Sequence, residues 1–135
     1  MQPTILLVDD DEDQLSILSM LLGRAGKRVL TAPNAAQALE VLQREEVHIV
    51  VSDIAMPEMD GLHFVSSLRQ LPAHSDTPVI LVTASAHLAE SSVRDLGDCQ
   101  IVPKQNLKRT LAPTVESILL RRFQASVSGS EVKKS

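Results

Sequence analysis

The chain has 135 residues, 44% of them apolar and 22% charged, which is enough for one domain with a buried core and ordinary for a soluble globular protein. A net charge of −4 argues against a broad nucleic-acid or anionic-membrane surface, and with Phe64 and Phe123 as the only aromatics there is no stacking platform for single-stranded nucleic acid. Cys99 has no partner for an internal disulfide, no basic-then-apolar leader opens the sequence, and no apolar run approaches the roughly 20 residues of a bilayer span, so a cytoplasmic protein without membrane contact is expected.

Five short apolar runs punctuate the chain, at Thr4–Val8, Arg28–Ala32, Val47–Ser52, Pro78–Thr83 and Cys99–Pro103. Several are continuously apolar, which suits strands covered on both faces, as in a parallel sheet. A segment of helical spacing follows each run. Leu15, Leu18, Leu22 and Ala25 form the first stripe, with Asp11 and Gln14 as its start signal and Gly26 as its stop. Asn34 and Gln37 resemble a capping box ahead of Ala38, Leu39 and Leu42, and Asp60 can cap a helix carrying Leu62, Val65 and Leu68. A weaker helix is expected over about Ala86–Leu96, and a last one from Asn106 to about Phe123 on Leu107, Leu111, Val115 and Ile118. Residues 124–135 are polar and Ser-rich and read as a flexible tail or linker after a domain spanning 1–123.

A βα unit repeated five times implies parallel strands with right-handed crossovers, and five units are too few for a closed barrel. The expected fold is an open, doubly wound α/β sheet with helices on both faces. Its chemistry belongs at the carboxyl ends of the strands. Strand 1 ends in Asp9-Asp10-Asp11-Glu12-Asp13, strand 3 in Asp53, strand 4 in Thr83-Ala84, and strand 5 runs into Lys104. Carboxylates brought within a few Å of one another must take up protons or find a cation. A hard oxygen site of this kind suits Mg²⁺, which keeps waters and shares its sphere with phosphate. A carboxylate there can also act as a nucleophile toward phosphorus, with Lys104 and Thr83 offsetting charge on the transferred group. The four histidines, 48, 63, 74 and 87, lack metal-site spacing and read as structural or surface residues. Arg121-Arg122 reads as complementing the dipole at the end of the last helix.

Three segments carry a resemblance: Ile5-Leu6-Leu7-Val8-Asp9-Asp10, Val50-Val51-Ser52-Asp53-Ile54-Ala55-Met56-Pro57-Glu58-Met59-Asp60-Gly61, and Pro78-Val79-Ile80-Leu81-Val82-Thr83-Ala84. In that order and spacing the chain resembles the receiver domain of two-component response regulators over about residues 4–122. The resemblance implies a flavodoxin-like three-layer fold of sheet order 2-1-3-4-5, working as a phosphorylation switch rather than an enzyme. It implies Asp53 as phosphoacceptor and Mg²⁺ held by Asp9, Asp10, Asp53 and the backbone carbonyl of Ala55. Thr83, the Ala84 backbone and Lys104 would meet the phosphoryl oxygens. The implied partners are a sensor histidine kinase or phosphotransfer domain upstream and an output protein, or an output domain lost from this chain, downstream. A phosphorylation-dependent dimer and a switching face made by the 86–96 helix, strand 5 and the last helix are also implied, with no direct nucleic-acid binding.

The sequence departs from the family pattern near Lys104. Gln105 stands where the family usually has a cis proline, so Lys104–Gln105 is expected trans, and Pro103 requires strand 5 to lie at an edge. Ile101 stands where an aromatic residue is usual. The alternative reading is a receiver-like interaction domain that works without phosphorylation. A flavodoxin-like electron carrier would need a Ser/Thr/Gly-rich phosphate cradle where the five acids stand. A haloacid-type aspartyl phosphatase would need an acid at position 55, which is alanine.

Overall fold

The computed structural model describes residues 2–56, 58–84 and 93–134. Along the chain run β1 (Thr4–Val8), α1 (Glu12–Arg24), β2 (Arg28–Ala32), α2 (Ala35–Arg44), β3 (Ile49–Asp53), α3 (Gly61–Arg69), β4 (Val79–Thr83), β5 (Cys99–Pro103) and α4 (Leu107–Lys134). The strands form one parallel sheet in the order β2-β1-β3-β4-β5. This is the flavodoxin-like arrangement expected of the chain. Strand order reverses between β1 and β3, so the crevice for chemistry opens at the carboxyl ends of those two strands.

The alternation of side chains along each strand divides the apolar residues between two cores. Ile5, Leu7, Ile49, Val51, Ile80 and Val82 point to one face, where Leu15, Leu18 and Leu22 of α1 and Leu107, Leu111, Val115 and Ile118 of α4 cover them. Leu6, Val8, Val50, Val79 and Leu81 point to the other, under Ala35, Ala38 and Leu42 of α2 and Phe64, Val65 and Leu68 of α3. Burial on both sides explains why β1 and β3 read as unbroken apolar runs. β2, at an edge, leaves Arg28 and Thr31 exposed.

The helix boundaries follow local chemistry. Asp11 accepts hydrogen bonds from the Asp13 and Gln14 backbone N–H groups and caps α1. Gly26, at φ +84°, closes the other end: its N–H donates to the Gly23 carbonyl and the Lys27 N–H to the Leu22 carbonyl, a Schellman stop. Asn34 accepts from the Gln37 N–H, and Asp60 from the His63 N–H. Lys104–Gln105 is trans, and Pro103 sits on the edge strand β5.

Three expectations need adjustment. β3 starts at Ile49 rather than Val47, because its register with β1 begins at Ile5, and it takes in Asp53 as its last residue. The helix expected over about 86–96 falls largely on 85–92, outside the described residues; beyond them the Leu96 N–H donates to the Val93 carbonyl. α4 runs on through 124–134, where a flexible tail was expected. Adding residues to an existing helix avoids the cost of nucleation, and the helix formers Gln124, Ala125 and Glu131 help carry it past the serines and Gly129. Among the described side chains the packed core reaches Ile118 and Leu119.

α3 lies as close to β3 as a glycine allows. A Cβ on Gly61 would stand 2.6 Å from the Asp53 carbonyl oxygen and 2.8 Å from the Ile54 Cα, and the Gly61 N–H donates to the Ile54 carbonyl at 2.7 Å. Gly61→Ala is therefore expected to destabilise the domain by about 1–3 kcal/mol, the usual cost of overpacking. Urea unfolding will check this; a midpoint equal to that of wild type would show that α3 can back away freely.

Candidate functional site

The fold collects the acids at the end of β1 and β3 in one pocket. Asp9 directly follows β1, and its backbone N–H donates to the Ala32 carbonyl of β2, which extends the ladder by one residue. Its Oδ1 accepts from the Asp11 N–H at 3.0 Å, folding the chain back into α1. Asp53 ends β3 with its Oδ1 accepting from the Ala55 N–H at 3.1 Å. Both residues are only 7% exposed. Lys104 opens a single 3₁₀ turn after β5 and reaches back so that its Nζ donates to Asp53 Oδ2 at 3.2 Å.

Register accounts for the remaining members. Asp53 pairs with Val82, and Thr83 pairs with Pro103, so Thr83, Ala84 and Lys104 sit just beyond Asp53 at the same edge. Thr83 is half-buried; Ala84, Ala55 and Asp10 are exposed. Asp10 hydrogen-bonds to Asp9 through its side chain. The geometry thus brings Asp9, Asp10, Asp53 and Lys104 into one interacting group, with Thr83, Ala84 and Ala55 on its rim. Asp11 is drawn away as the cap of α1, as its spacing to Gln14 indicated.

The electrostatics reveal a shortage of positive charge. Burial, the Asp53 carboxylate nearby and the Asp10 hydrogen bond together push the Asp9 carboxyl up to about 6, against the pull of the Asp11 N–H and Lys104. For Lys104, burial acts to lower the pKa but is outweighed by Asp53, with Asp9 and Asp11 adding, so the ammonium is held more firmly than usual. Three carboxylates face one ammonium. Among the described residues no group of three or more His, Cys, Asp or Glu side chains is arranged to enclose a metal ion. The donors offered are instead a few exposed and buried carboxylate oxygens open to solvent on one side. Mg²⁺ is held in that manner, by one or two carboxylates with water and other oxygens completing its sphere. The donor chemistry therefore fits a hard divalent cation, and the raised proton affinity of Asp9 marks where positive charge is wanted.

Sequence reasoning passed over several supports. Ser52, fully buried, donates its hydroxyl to the Asp53 carbonyl at 3.0 Å and steadies the backbone of that residue from behind. A serine inside an apolar strand was the available signal. Arg121 and Arg122 do not finish a helix; both grip Asp98, at 3.1 and 2.7 Å. His74 is buried between the Thr77 hydroxyl and the Leu42 carbonyl, and His48 accepts from the Thr4 N–H, so both are structural as expected. No helix among the described residues is long and apolar enough to cross a membrane.

Comparison with known proteins agrees with this architecture. The family model described as the response regulator receiver domain matches residues 5–116. The chain is 35% identical over 118 residues to the transcriptional regulatory protein CpxR of Escherichia coli (strain K12), covering 87% of this chain and 49% of that protein. It therefore spans about half the length of that regulator, and between 19% and 65% of other curated relatives. Among solved structures, the chemotaxis protein CheY4 of Vibrio cholerae superimposes with a TM-score of 0.82 at 26% identity, covering 87% of this chain and 98% of that one. The response regulator TrrA of Thermotoga maritima, in complex with Mg²⁺-BeF, gives a TM-score of 0.74 at 28% identity, covering 86% and 98%.

In divalent-free buffer the Asp9 carboxyl is expected to titrate near pH 6. The native protein then keeps a proton that the unfolded chain, with its carboxyl near 3.8, has already lost. Stability is accordingly full below about pH 4 and falls as pH rises through about 6, by on the order of 2–3 kcal/mol. Asp9→Asn should flatten that fall. Denaturant melts on both sides of the midpoint, with ¹³C-detected titration of the carboxyl, will check it; a midpoint at the unfolded value would refute the account.

Proposed function

The chain belongs to the response-regulator receiver family of two-component signalling, and from that footing we propose that it is a signalling switch that accepts a phosphoryl group on Asp53. The observation that carries the reading is the Asp53 carboxylate itself, buried to 7% exposure, fixed by the Ala55 N–H and Lys104, and adjoining a second buried acid. An acid at the end of a central strand has little structural use, and here two oxygens are aimed and held at a solvent-open edge.

The step is a transfer between oxygen or nitrogen donors and the carboxylate. A carboxylate oxygen of Asp53 attacks phosphorus, the bond from phosphorus to the donor breaks, and an acyl phosphate forms. With a phosphohistidine donor the departing imidazole keeps the bonding pair and takes a proton; with acetyl phosphate the leaving group is acetate. Lys104 offsets charge on the transferred oxygens, and Thr83 and the Ala84 N–H stand at the rim to donate to them. Asp9, Asp10, Asp53 and the Ala55 carbonyl would hold Mg²⁺, which when bound supplies a Lewis acid for the phosphoryl oxygens. A solved relative, TrrA, is in complex with Mg²⁺-BeF, which supports this cofactor for the present chain.

A sensor histidine kinase or phosphotransfer domain is the fitting donor, and an output protein or appended domain the recipient. Curated relatives such as CpxR are transcriptional regulators about twice as long as the match. Residues 1–123 would form the receiver unit and 124–135 its extension toward such a partner. Cytoplasmic location and a phosphorylation-dependent dimer fit the same reading.

Acetyl phosphate with Mg²⁺ is expected to add one phosphoryl group to the wild type, read as an intact-mass adduct, and none to Asp53→Asn or to protein in EDTA. An undiminished adduct in either case would move the site elsewhere, and no adduct in the wild type would favour a phosphorylation-independent interaction domain. Asp10→Ala should weaken Mg²⁺ binding. Asp11→Ala should leave it nearly intact while costing about 1 kcal/mol of stability through the lost cap. Metal titrations and melts of the two variants distinguish these roles; equal losses of affinity would contradict the assignment.

A further inference from the structure

α3 is braced at both ends. Gly61, its first residue, lies where a Cβ would not fit beside the Asp53 carbonyl, and its N–H donates to the Ile54 carbonyl. Arg69, its last, donates four hydrogen bonds: Nε to the Leu96 carbonyl at 2.7 Å, Nη1 to those of His74 and Thr77 at 3.0 and 2.6 Å, and Nη2 to that of Asp98 at 2.9 Å. These carbonyls belong to the loops that lead into β4 and β5. Gly97 wraps the guanidinium closely, at φ +77°, where a Cβ would come within 3.2 Å of Nε. Between the two ends Phe64, Val65 and Leu68 are fully buried, so the helix is packed to move as a body.

Asp98 turns its carboxylate the other way. Arg121 Nη2 donates to both oxygens, at 3.2 and 3.1 Å, and Arg122 Nη2 to Oδ2 at 2.7 Å, while Arg122 also bonds the Asp76 carbonyl. Both arginines lie in α4 just after Ile118, the last buried residue of that helix among the described ones. Asp98 precedes β5, whose other end carries Lys104, so this clamp lies about 16 Å of strand away from the acceptor edge.

We propose that α3, Arg69 and Asp98 form a mechanical link by which a change at Asp53 alters how α4 leaves the domain. The proposal rests on Asp53 as the acceptor. A phosphoryl group adds about −1.5 to −2 charges and three strong acceptor oxygens. It competes for the two groups that now hold the carboxylate, Lys104 and the Ala55 N–H. Residues 54–55 then shift, and the Gly61 N–H, bonded to the Ile54 carbonyl at 2.7 Å, ties the start of α3 to that shift. The helix carries it to Arg69, whose fork of fixed donors passes it to the 96–98 loop, and Asp98 passes it to the two arginines. With Ile101 on β5 in place of an aromatic ring, this route needs no side-chain rotation in the sheet.

The test is the amide response of the ¹⁵N-labelled full chain to beryllofluoride with Mg²⁺. In the wild type, residues 53–62 and 119–125 are both expected to shift. Asp98→Asn should keep the response at 53–62 and lose at least half of that at 119–125; Arg69→Lys, which cannot span four carbonyls, should do the same. Should Asp98→Asn fail to fold, Arg121→Gln on the more exposed side of the clamp replaces it. A 119–125 response of wild-type size in these variants, or none in the wild type while 53–62 respond, would overturn the link alone. A wild type in which 53–62 do not respond would overturn the acceptor assignment and the link together.

Discussion

Two buried acids and one lysine set the terms for the rest of the molecule. Asp9 and Asp53 are each 7% exposed and lie close enough for the charge of Asp53 to raise the proton affinity of Asp9, while among the described residues Lys104 supplies the opposing positive charge. An arrangement of this sort costs stability when empty, since burying like charges is unfavourable unless a proton or cation intervenes. Its persistence needs a scaffold that holds the carboxylates from behind. The sheet does so with a fully buried β1 and β3 and the Ser52 hydroxyl on the Asp53 carbonyl, while the Asp11 and Ala55 N–H groups donate to the Asp9 and Asp53 carboxylates. Charge shortage at the edge and over-determined packing beneath it are two aspects of one design.

Much of this was legible in the sequence because it depends on short-range rules. Continuous apolar runs gave strands covered on both faces, and the caps Asp11, Asn34 and Asp60 and the stop at Gly26 each stand where side-chain chemistry indicated. The edge of the site followed from topology, since every chemically suited residue ended a strand. Phe64, fully buried, falls outside the Leu62, Val65 and Leu68 spacing because the apolar face of α3 is wider than one row.

The long-range polar contacts were not legible. Arg69 is one basic residue at the end of a short helix, and nothing local says that its guanidinium will meet four carbonyls from two loops up to 29 positions away. Arg121 and Arg122 looked like helix-end cations because the helix was expected to end there; their partner Asp98 is 23 and 24 positions upstream and becomes a neighbour only when β5 lies beside β4. A pairing that depends on the crossover leaves no periodic trace.

The loop that joins these parts is constrained from both sides. Glu58, five residues after Asp53, has φ +69°, a conformation that costs a non-glycine residue roughly 1–2 kcal/mol. Three residues later Gly61 is held against the strand, and Asp60 between them is fixed by capping the His63 N–H at 2.8 Å. Strain of this kind survives only where surrounding contacts over-determine the backbone. Displacement at Asp53 therefore meets Asp60 and Gly61 already held by their own hydrogen bonds. The same tightness that fixes the carboxylate thus makes α3 responsive to it.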